Sequence, residues 1–140
     1  MKKILATLCY VQYENKVLML HRNKRENDYH KGKYNGLGGK FEDGESPEEC
    51  AIREVKEESG LTVRNPIFSG FITFPKFDKV NDWYVFVYRF KDFSGEIEEN
   101  YEGSLEWVEQ KNLSNLPLWD GDKIFLKWVF ENKLFHAKFN

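Results

Sequence analysis

The chain has 140 residues, a formal net charge of −2 and a hydrophobic content of 41%, which is the size and composition of one globular domain. The isoelectric point of about 6.0 argues against a nucleic acid polymer as partner, since tight binding to such a polymer needs basic patches. No apolar run reaches the roughly 18 residues of a membrane helix and the cysteines, Cys9 and Cys50, form no clustered motif, so we expect a single cytoplasmic domain over residues 1–140 with no membrane partner.

The first elements along the chain are predicted to be strands. The apolar runs "ILATLCYV" and "KVLMLHR" flank the polar "QYEN", which predicts two paired strands with a turn near Glu14 and Asn15. The polar, glycine-rich stretch over residues 23–46 then predicts a long loop, with a short strand around residues 34–37. Loops of this length inside a compact domain are usually functional.

A helix follows with clear signals at both ends. Ser46 is a natural N-cap, Pro47 suits the first helical position, and Glu49 completes a capping box with Ser46. Gly60 is typical of a helix C-terminus, so we predict a helix over Pro47–Ser59. Its apolar stripe is expected to contain Ala51, Ile52 and Val55.

The second half of the chain is rich in aromatic and β-branched residues. The runs "PIFSGFITFP", "WYVFVYRF" and "SLEWVEQ" predict three further strands. The run "DKIFLKWVFEN" predicts a second helix, because Ile124, Phe125, Trp128 and Val129 recur at helical spacing. Two helices packed on a strand-rich chain predict an α+β or α/β sandwich.

The first helix crowds three carboxylates onto one face. Glu54, Glu57 and Glu58 are spaced i, i+3, i+4, and like charges at this spacing destabilise an isolated helix. A solvated charged face is the ordinary explanation. With a glycine-rich loop before the helix, the alternative is a site for a hard cation such as Mg²⁺, which prefers oxygen ligands and is often shared with substrate phosphates.

The residues around these glutamates carry a resemblance. Gly39, five residues, Glu45, seven residues and then "REVKEESGL" resemble the Nudix box, G-x5-E-x7-R-E-U-x-E-E-x-G-U with U apolar, at every specified position. The resemblance implies the Nudix-type α/β/α sandwich, in which a mixed β-sheet is packed between helices. Gly39, Glu45, Arg53 and Gly60 would be structural residues of this motif, and an ion pair between Arg53 and Glu45 is plausible because arginine retains its charge.

The same resemblance implies the cofactor and its ligands. In Nudix enzymes the matching residues bind Mg²⁺, for which Mn²⁺ could substitute, so the ligands here would be Glu54, Glu57, Glu58 and the Gly38 carbonyl. A box glutamate or an acid outside the box would activate water. Glu102 in "NYEGSLEW" is our candidate for that outside acid and for a further metal ligand, with Glu98 and Glu99 as competitors and a solvated acidic run as the alternative.

Beyond the box, the chain is similar to the MutT-like 8-oxo-dGTP diphosphatases. That similarity implies a base-binding role for Asn35, Trp119, Asp122 and Phe74. The chain departs from the animal enzymes of this group, which carry two adjacent aspartates where Gly121 and Asp122 stand here; Asp120 could compensate. Trp119 and Phe74 could instead be core residues and Asp122 a helix cap. Arg22 is a candidate for phosphate contact, although a surface charge is the more ordinary interpretation.

The expected activity is a Mg²⁺-dependent cleavage of a nucleoside triphosphate into the monophosphate and pyrophosphate, with 8-oxo-dGTP as the expected substrate. The alternatives are another substrate of the same family (an ADP-sugar, a dinucleotide, capped RNA or an unmodified dNTP) or a non-catalytic nucleotide-binding regulator. The partner would be a small nucleotide, and the residues do not distinguish a monomer from a homodimer.

Overall fold

The computed structural model describes residues 1–24, 32–98 and 103–140. A mixed sheet in the order β3-β2-β1-β6-β5-β9, with β8 also pairing with β2, is flanked by two helices, and β4 and β7 form a separate two-stranded ribbon. The elements are β1 (Lys3–Tyr13), β2 (Lys16–His21), β3 (Tyr34–Asn35), α1 (Pro47–Ser59), β4 (Thr62–Arg64), β5 (Ile67–Phe74), β6 (Asp82–Phe90), β7 (Asp92–Ser94), β8 (Ser104–Glu109), a 3₁₀ helix (Gln110–Asn115), α2 (Asp120–Phe130) and β9 (Phe135–Lys138).

The central strands are apolar on both faces, and each helix covers one of those faces. Because side chains alternate along a strand, Ala6 and Tyr10 of β1 join the core beneath α2, whereas Cys9 and Val11 join the core beneath α1. β1 and β6 are parallel neighbours in register from Lys3↔Asp82 to Val11↔Phe90. A sheet buried on both faces is the arrangement that makes near-continuous apolar runs such as "ILATLCYV" stable.

The predicted α/β sandwich is confirmed, and α1 spans the predicted residues. Its capping box between Ser46 and Glu49 is formed, and Gly60 ends the helix with a left-handed φ of 82°. Within the apolar stripe, Ala51 and Val55 are fully buried. Among the described residues, no helix is long and apolar enough to cross a membrane.

Four elements were not predicted, and one apolar residue of the predicted second helix lies outside the core. All four, namely β4, β7, β9 and the 3₁₀ helix, are short. The strands β4, β7 and β9 form by pairing with distant parts of the chain rather than from a local pattern. Ile124 of α2 is 48% exposed, because α2 starts at Asp120 and packs its Phe125, Leu126 and Val129 face on the sheet.

Candidate active site

Backbone hydrogen bonds hold the glycine-rich loop, residues 36–39, against strand β1. Leu37 and Cys9 exchange backbone hydrogen bonds of 2.9 and 2.7 Å, and the Thr7 N–H donates to the Gly39 carbonyl at 2.9 Å. Gly38 has φ +131°, and a Cβ there would lie 2.1 Å from the Thr7 carbonyl oxygen. A side chain therefore cannot be accommodated at Gly38 without moving β1 or the loop.

The same loop contacts the acidic face of α1. The Gly38 N–H donates to Glu58 Oε2 at 2.9 Å, and a Cβ at Gly39 would lie 2.6 Å from the Glu54 carboxyl carbon. The two glycines thus allow the loop backbone to lie directly on two of the predicted metal ligands. No hydrogen bond within the described parts of the chain uses the Gly38 carbonyl, the oxygen that the resemblance assigns to the metal.

Arg53 organises the charges of this face. Its Nε and Nη2 donate to the two carboxylate oxygens of Glu45 at 2.6 and 2.9 Å, so the pair predicted from the sequence is present as a bidentate contact. This contact lowers the pKa of the Glu45 carboxyl to about 2 and raises the pKa of Arg53 further. Nη2 also donates to the Lys40 carbonyl at 3.0 Å, which links the helix to the end of the glycine loop.

The third nitrogen of Arg53 lies between two of the predicted ligands. Nη1 donates to Glu54 at 2.8 Å and to Glu57 at 3.1 Å. Burial raises the pKa of Glu54 despite this contact, whereas the Glu57 side chain is 58% exposed. One guanidinium therefore offsets the repulsion between carboxylates that the sequence crowds together.

The donor set fits a hard divalent cation in its chemistry. Glu54, Glu57, Glu58 and the Gly38 carbonyl offer only oxygen atoms, which Mg²⁺ prefers, and the missing Cβ at Gly39 leaves the Glu54 carboxylate accessible from the loop side. As these side chains lie, no three acidic, histidine or cysteine groups of the described chain surround one point closely enough to hold an ion together. A carboxylate has about four lone-pair positions, so the hydrogen bond that Glu54 accepts from Arg53 is compatible with binding of an ion.

Gly60 does more than end the helix. A Cβ at Gly60 would lie 2.8 Å from Cγ of Glu98, and the Glu98 N–H donates to the Ser59 carbonyl at 2.8 Å. Glu98, one of the two competitors for the outside acid, is therefore packed over the C-terminal end of α1. The favoured candidate Glu102, and Glu99, lie outside the described residues, so their roles stay predictions.

Three of the predicted base-binding residues, Asn35, Trp119 and Asp122, lie on two segments that are hydrogen-bonded to each other at β3. The Tyr34 N–H donates to the Pro117 carbonyl at 2.9 Å, which ties β3 to the segment that precedes α2. Nζ of Lys33 lies 5.0 Å from the centroid of the Trp119 ring, a cation–π distance. Trp119 is the N-cap residue of α2 and makes no side-chain cap hydrogen bond, so its ring is not required to start the helix.

Asp122 lies beside the buried Tyr10. Burial raises the pKa of Asp122 to about 7, against the opposing effects of the Trp119 backbone N–H, which donates to its carboxylate, and of Lys33. Burial first, and then the charge of Asp122, raise the pKa of the Tyr10 hydroxyl. The Tyr10 ring also packs on Gly36, where a Cβ would lie 2.7 Å from it, so Tyr10 connects Asp122 to the residue after Asn35.

Asn35 has an unsatisfied polar atom. Its Oδ1 is buried and has no hydrogen-bond partner among residues 1–24, 32–98 and 103–140, and an unsatisfied amide oxygen inside a protein is costly. A buried acceptor that no described residue satisfies, one residue before the contact of Gly36 with the Tyr10 ring, is the arrangement expected of a ligand-recognition atom.

The remaining predicted residues are placed less directly. Phe74 stacks on Phe139 with 6.0 Å between ring centroids, and Phe139 lies against Gly121, where a Cβ would be 3.6 Å from its ring. Phe74 thus reaches the start of α2 through a residue of the C-terminal segment. Arg22 follows β2, and its backbone N–H donates to the Lys33 carbonyl at 2.9 Å; a phosphate contact by its side chain stays a prediction.

Three residues of this region were not predicted from the sequence: Tyr10, Lys33 and Phe139. Tyr10 sits in an apolar run where every position is suitable for a core, so nothing local marks it. Lys33 is one of many surface charges, and Phe139 follows a strand that is formed only by pairing with β5. Only the assembled sheet brings them to Trp119, Asp122 and Phe74.

Comparison with known proteins shows a family match and similar sequences. A model of the NUDIX domain family matches residues 2–129 of the chain. An uncharacterized Nudix hydrolase of Bacillus subtilis is 33% identical over 139 residues, which covers 96% of this chain and 84% of the relative. An oxidized purine nucleoside triphosphate hydrolase of Danio rerio is 30% identical over 135 residues, covering 96% of this chain and 85% of the relative.

A solved structure extends the similarity to three dimensions. The crystal structure of a MutT protein from Bacillus halodurans superimposes with a TM-score of 0.83 at 32% sequence identity, covering 96% of this chain and 90% of that protein. The shared fold includes the mixed sheet packed between helices, one of which is α1 with its acidic face.

Proposed function

The chain belongs to the NUDIX domain family of hydrolases that act on nucleoside diphosphate derivatives, and we propose that it is a Mg²⁺-dependent pyrophosphohydrolase of oxidised purine nucleoside triphosphates, with 8-oxo-dGTP as substrate. The products would be 8-oxo-dGMP and pyrophosphate, and the role would be removal of an oxidised nucleotide before it enters DNA. We propose further that residues 1–140 act as one domain on a small nucleotide and not on a nucleic acid polymer.

The observation that carries the choice of substrate is the buried Oδ1 of Asn35, which no described residue satisfies, on a strand that is hydrogen-bonded to the segment before Trp119 and Asp122. A purine offers a flat π-face and an edge of donors and acceptors, which an indole ring and fixed polar groups can recognise. The Danio rerio relative, by its name, hydrolyses oxidised purine nucleoside triphosphates, which supports the same class of base.

At the phosphate end, the residues of α1 and the glycine loop would do the positioning. Glu54, Glu57 and Glu58, with the Gly38 carbonyl, would hold the divalent ion. When bound, such an ion neutralises phosphate charge and lowers the pKa of an attacking water. Arg53 would orient the Glu54 and Glu57 carboxylates through its hydrogen bonds to both, and a box glutamate or Glu102 would accept the proton of the water.

At the base end, the side chains would bind rather than react. Trp119 would stack on the purine, and Asp122, whose pKa is about 7, would present either a carboxylate or a neutral carboxylic acid to its edge near neutral pH. Asn35 would complete the recognition with its amide oxygen, which has no partner in the described part of the chain. This chain has Gly121 where the animal relatives have an aspartate next to the position of Asp122, so fewer side chains are expected to hydrogen-bond with the base.

The direct test is a nucleotide panel with Mg²⁺, in which release of monophosphate and pyrophosphate is measured for 8-oxo-dGTP, dGTP and ADP-ribose. The expected result is a higher kcat/KM for 8-oxo-dGTP than for the other two. Equal or faster turnover of dGTP or ADP-ribose would refute the substrate while leaving the hydrolase class intact. Glu57→Gln should lower kcat by about a hundredfold or more, whereas Glu48→Gln, on an exposed position of the same helix, should not.

The base-binding role of Trp119 has its own measurement. Trp119→Ala should raise KM much more than it lowers kcat, because stacking stabilises the bound ground state and transition state alike. Trp119→Phe should restore most of the affinity by retaining a π-face. A fall in kcat with unchanged KM would assign Trp119 to the reaction step instead.

A further inference from the structure

A polar cavity of about 450 Å³ opens at the end of the sheet where β1 turns into β2. It lies between the last residues of β1, the end of β6 and the C-terminal end of α2. Its lining residues are Gln12, Tyr13, Glu14, Arg89, Lys91, Gln110, Phe130 and Asn132. A volume in this range is sufficient for a small metabolite.

Arg89 is the unusual member of this lining. Its residue is only 6% exposed, and its hydrogen bonds within the described chain are to neutral groups: Nε donates to Ser69 Oγ at 3.1 Å and Nη1 to Gln12 Oε1 at 3.2 Å. No described carboxylate forms an ion pair with it, and none of these hydrogen bonds uses Nη2. Buried arginines are normally paired, because an uncompensated buried charge is strongly unfavourable.

A β-bulge in β5 helps to position the Arg89 guanidinium. A β-bulge interrupts the pairing of β5 with β6 between Phe68 and Gly70, and Ser69 is the additional residue. Bulges redirect a side chain, and here the buried Ser69 hydroxyl is directed at Nε. Ser69 and Gln12 thus fix the arginine from two sides while leaving part of its donor fork for another partner.

The cavity is separate from the catalytic site. Gln12 lies five residues along β1 from Thr7, the residue that holds the Gly39 carbonyl, which is about 16 Å at the usual rise of a strand. Arg89 has the same parity along β6 as Val85 and Val87, which pack in the core beneath α2. The predicted metal ligands lie on α1, on the opposite face of the sheet.

The charges and donors of the lining favour an oxyanion. Arg89 and Lys91 are cationic and Glu14 is the one acidic residue among the lining groups, while Gln12, Gln110 and Asn132 supply neutral amides. Three carbonyls of the last turn of α2, those of Lys127, Trp128 and Val129, accept backbone hydrogen bonds, which reduces their repulsion of an anion. A planar arginine fork beside a lysine and amide donors suits phosphate oxygens.

We propose that this cavity is a second ligand site that binds a small phosphate-type oxyanion through Arg89 and Lys91. Inorganic phosphate is the simplest such ligand, and pyrophosphate or a phosphorylated metabolite would present the same chemistry. Arg89 is the main ligand, because its guanidinium is already desolvated and oriented, and Lys91 adds charge at the cavity mouth.

The experiment is isothermal titration of the full chain with inorganic phosphate in a phosphate-free buffer that contains a chelator and a fixed chloride concentration. Binding that saturates at a 1:1 ratio is expected. Arg89→Gln should weaken it by about tenfold or more, and Lys91→Glu by a smaller factor, because each removes a charge-assisted contact. Lys3→Glu, an exposed lysine at the other end of β1, is the matched control and should bind phosphate as the native chain does.

Glu57→Gln distinguishes the two sites, since it alters the proposed metal face and should leave phosphate affinity unchanged. Lys91 is exposed, so Lys91→Glu keeps the test valid if Arg89→Gln fails to fold. Absence of binding up to about 10 mM phosphate, or an affinity unchanged in Lys91→Glu and in folded Arg89→Gln, would overturn the proposal. Loss of binding in Glu57→Gln alone would place the phosphate at the catalytic site and would also overturn it.

Discussion

Replacing Asp122 by asparagine should change how the stability of the protein depends on pH. Burial raises the pKa of Asp122 from its ordinary 3.8 to about 7. Below pH 3.8 the folded and unfolded chains both hold the proton. Between 3.8 and about 7 the unfolded chain releases it and the folded chain does not, so the contribution of Asp122 to stability declines as pH rises. At about 1.4 kcal/mol per pKa unit, the full decline is about 4 kcal/mol.

Asparagine resembles the neutral carboxylic acid in shape, retains an oxygen that can accept the Trp119 N–H, and cannot ionise. The free energy of unfolding of Asp122→Asn should therefore equal that of the native chain near pH 4 and exceed it by up to about 4 kcal/mol near pH 8.5. Urea unfolding at several pH values measures this difference. Asp120→Asn, at an exposed position two residues earlier, is the control. A difference between Asp122→Asn and the native chain that does not vary with pH would refute the burial argument.

Two further predictions concern the acidic face of α1. Gly38→Ala should lower the free energy of unfolding by about 2 kcal/mol or more, because the φ of Gly38 is +131° and an added Cβ would clash with the backbone. Gly39→Ala should instead preserve the fold and lower kcat, because an added Cβ would meet the Glu54 carboxylate. Thermal melting curves and steady-state kinetics, measured on both variants, separate the two outcomes. Above pH 4.5, Glu45→Gln should be less stable than the native chain, because it lacks the ion pair with Arg53. The difference in free energy of unfolding between the two proteins should shrink as the pH falls from 4.5 towards about 2. A difference of the same size at pH 2 would contradict the assigned pKa of Glu45.

The helix α1 was predictable because its signals are local. Ser46, Glu49 and Gly60 set its ends within the helix and its caps, and no distant contact is needed to read them. The pairing of Arg53 with Glu45 could be proposed for a similar reason, since the motif places both at the junction of the loop and the helix. The way in which Arg53 also contacts Glu54, Glu57 and Lys40 depends on how the glycine loop packs on β1.

The base side was predictable in outline only. Asn35, Trp119 and Asp122 were named from a resemblance, but their proximity results from contacts between segments more than 80 residues apart, such as that of Tyr34 with Pro117. The short strands β4, β7 and β9 escaped prediction because three or four residues carry no periodicity that distinguishes them from a loop. Ile124 fits the helical pattern of α2, yet it is exposed because α2 buries the face that carries Phe125, Leu126 and Val129.

By itself, the sequence determined the chemistry of one helix face: a row of carboxylates, a glycine loop before it, and an arginine to separate the charges, all encoded within residues 38–61. Spacing along one helix and its adjoining loop is a local property, so it can be recognised without knowledge of the fold. Only the tertiary structure decided where Tyr10, Lys33 and Phe139 lie. It also decided why, within the described chain, the Asn35 amide oxygen has no partner and the buried Arg89 has no acidic one. Those properties arise from strand order, strand register and a single bulge, because the sheet brings together residues that are far apart in the sequence.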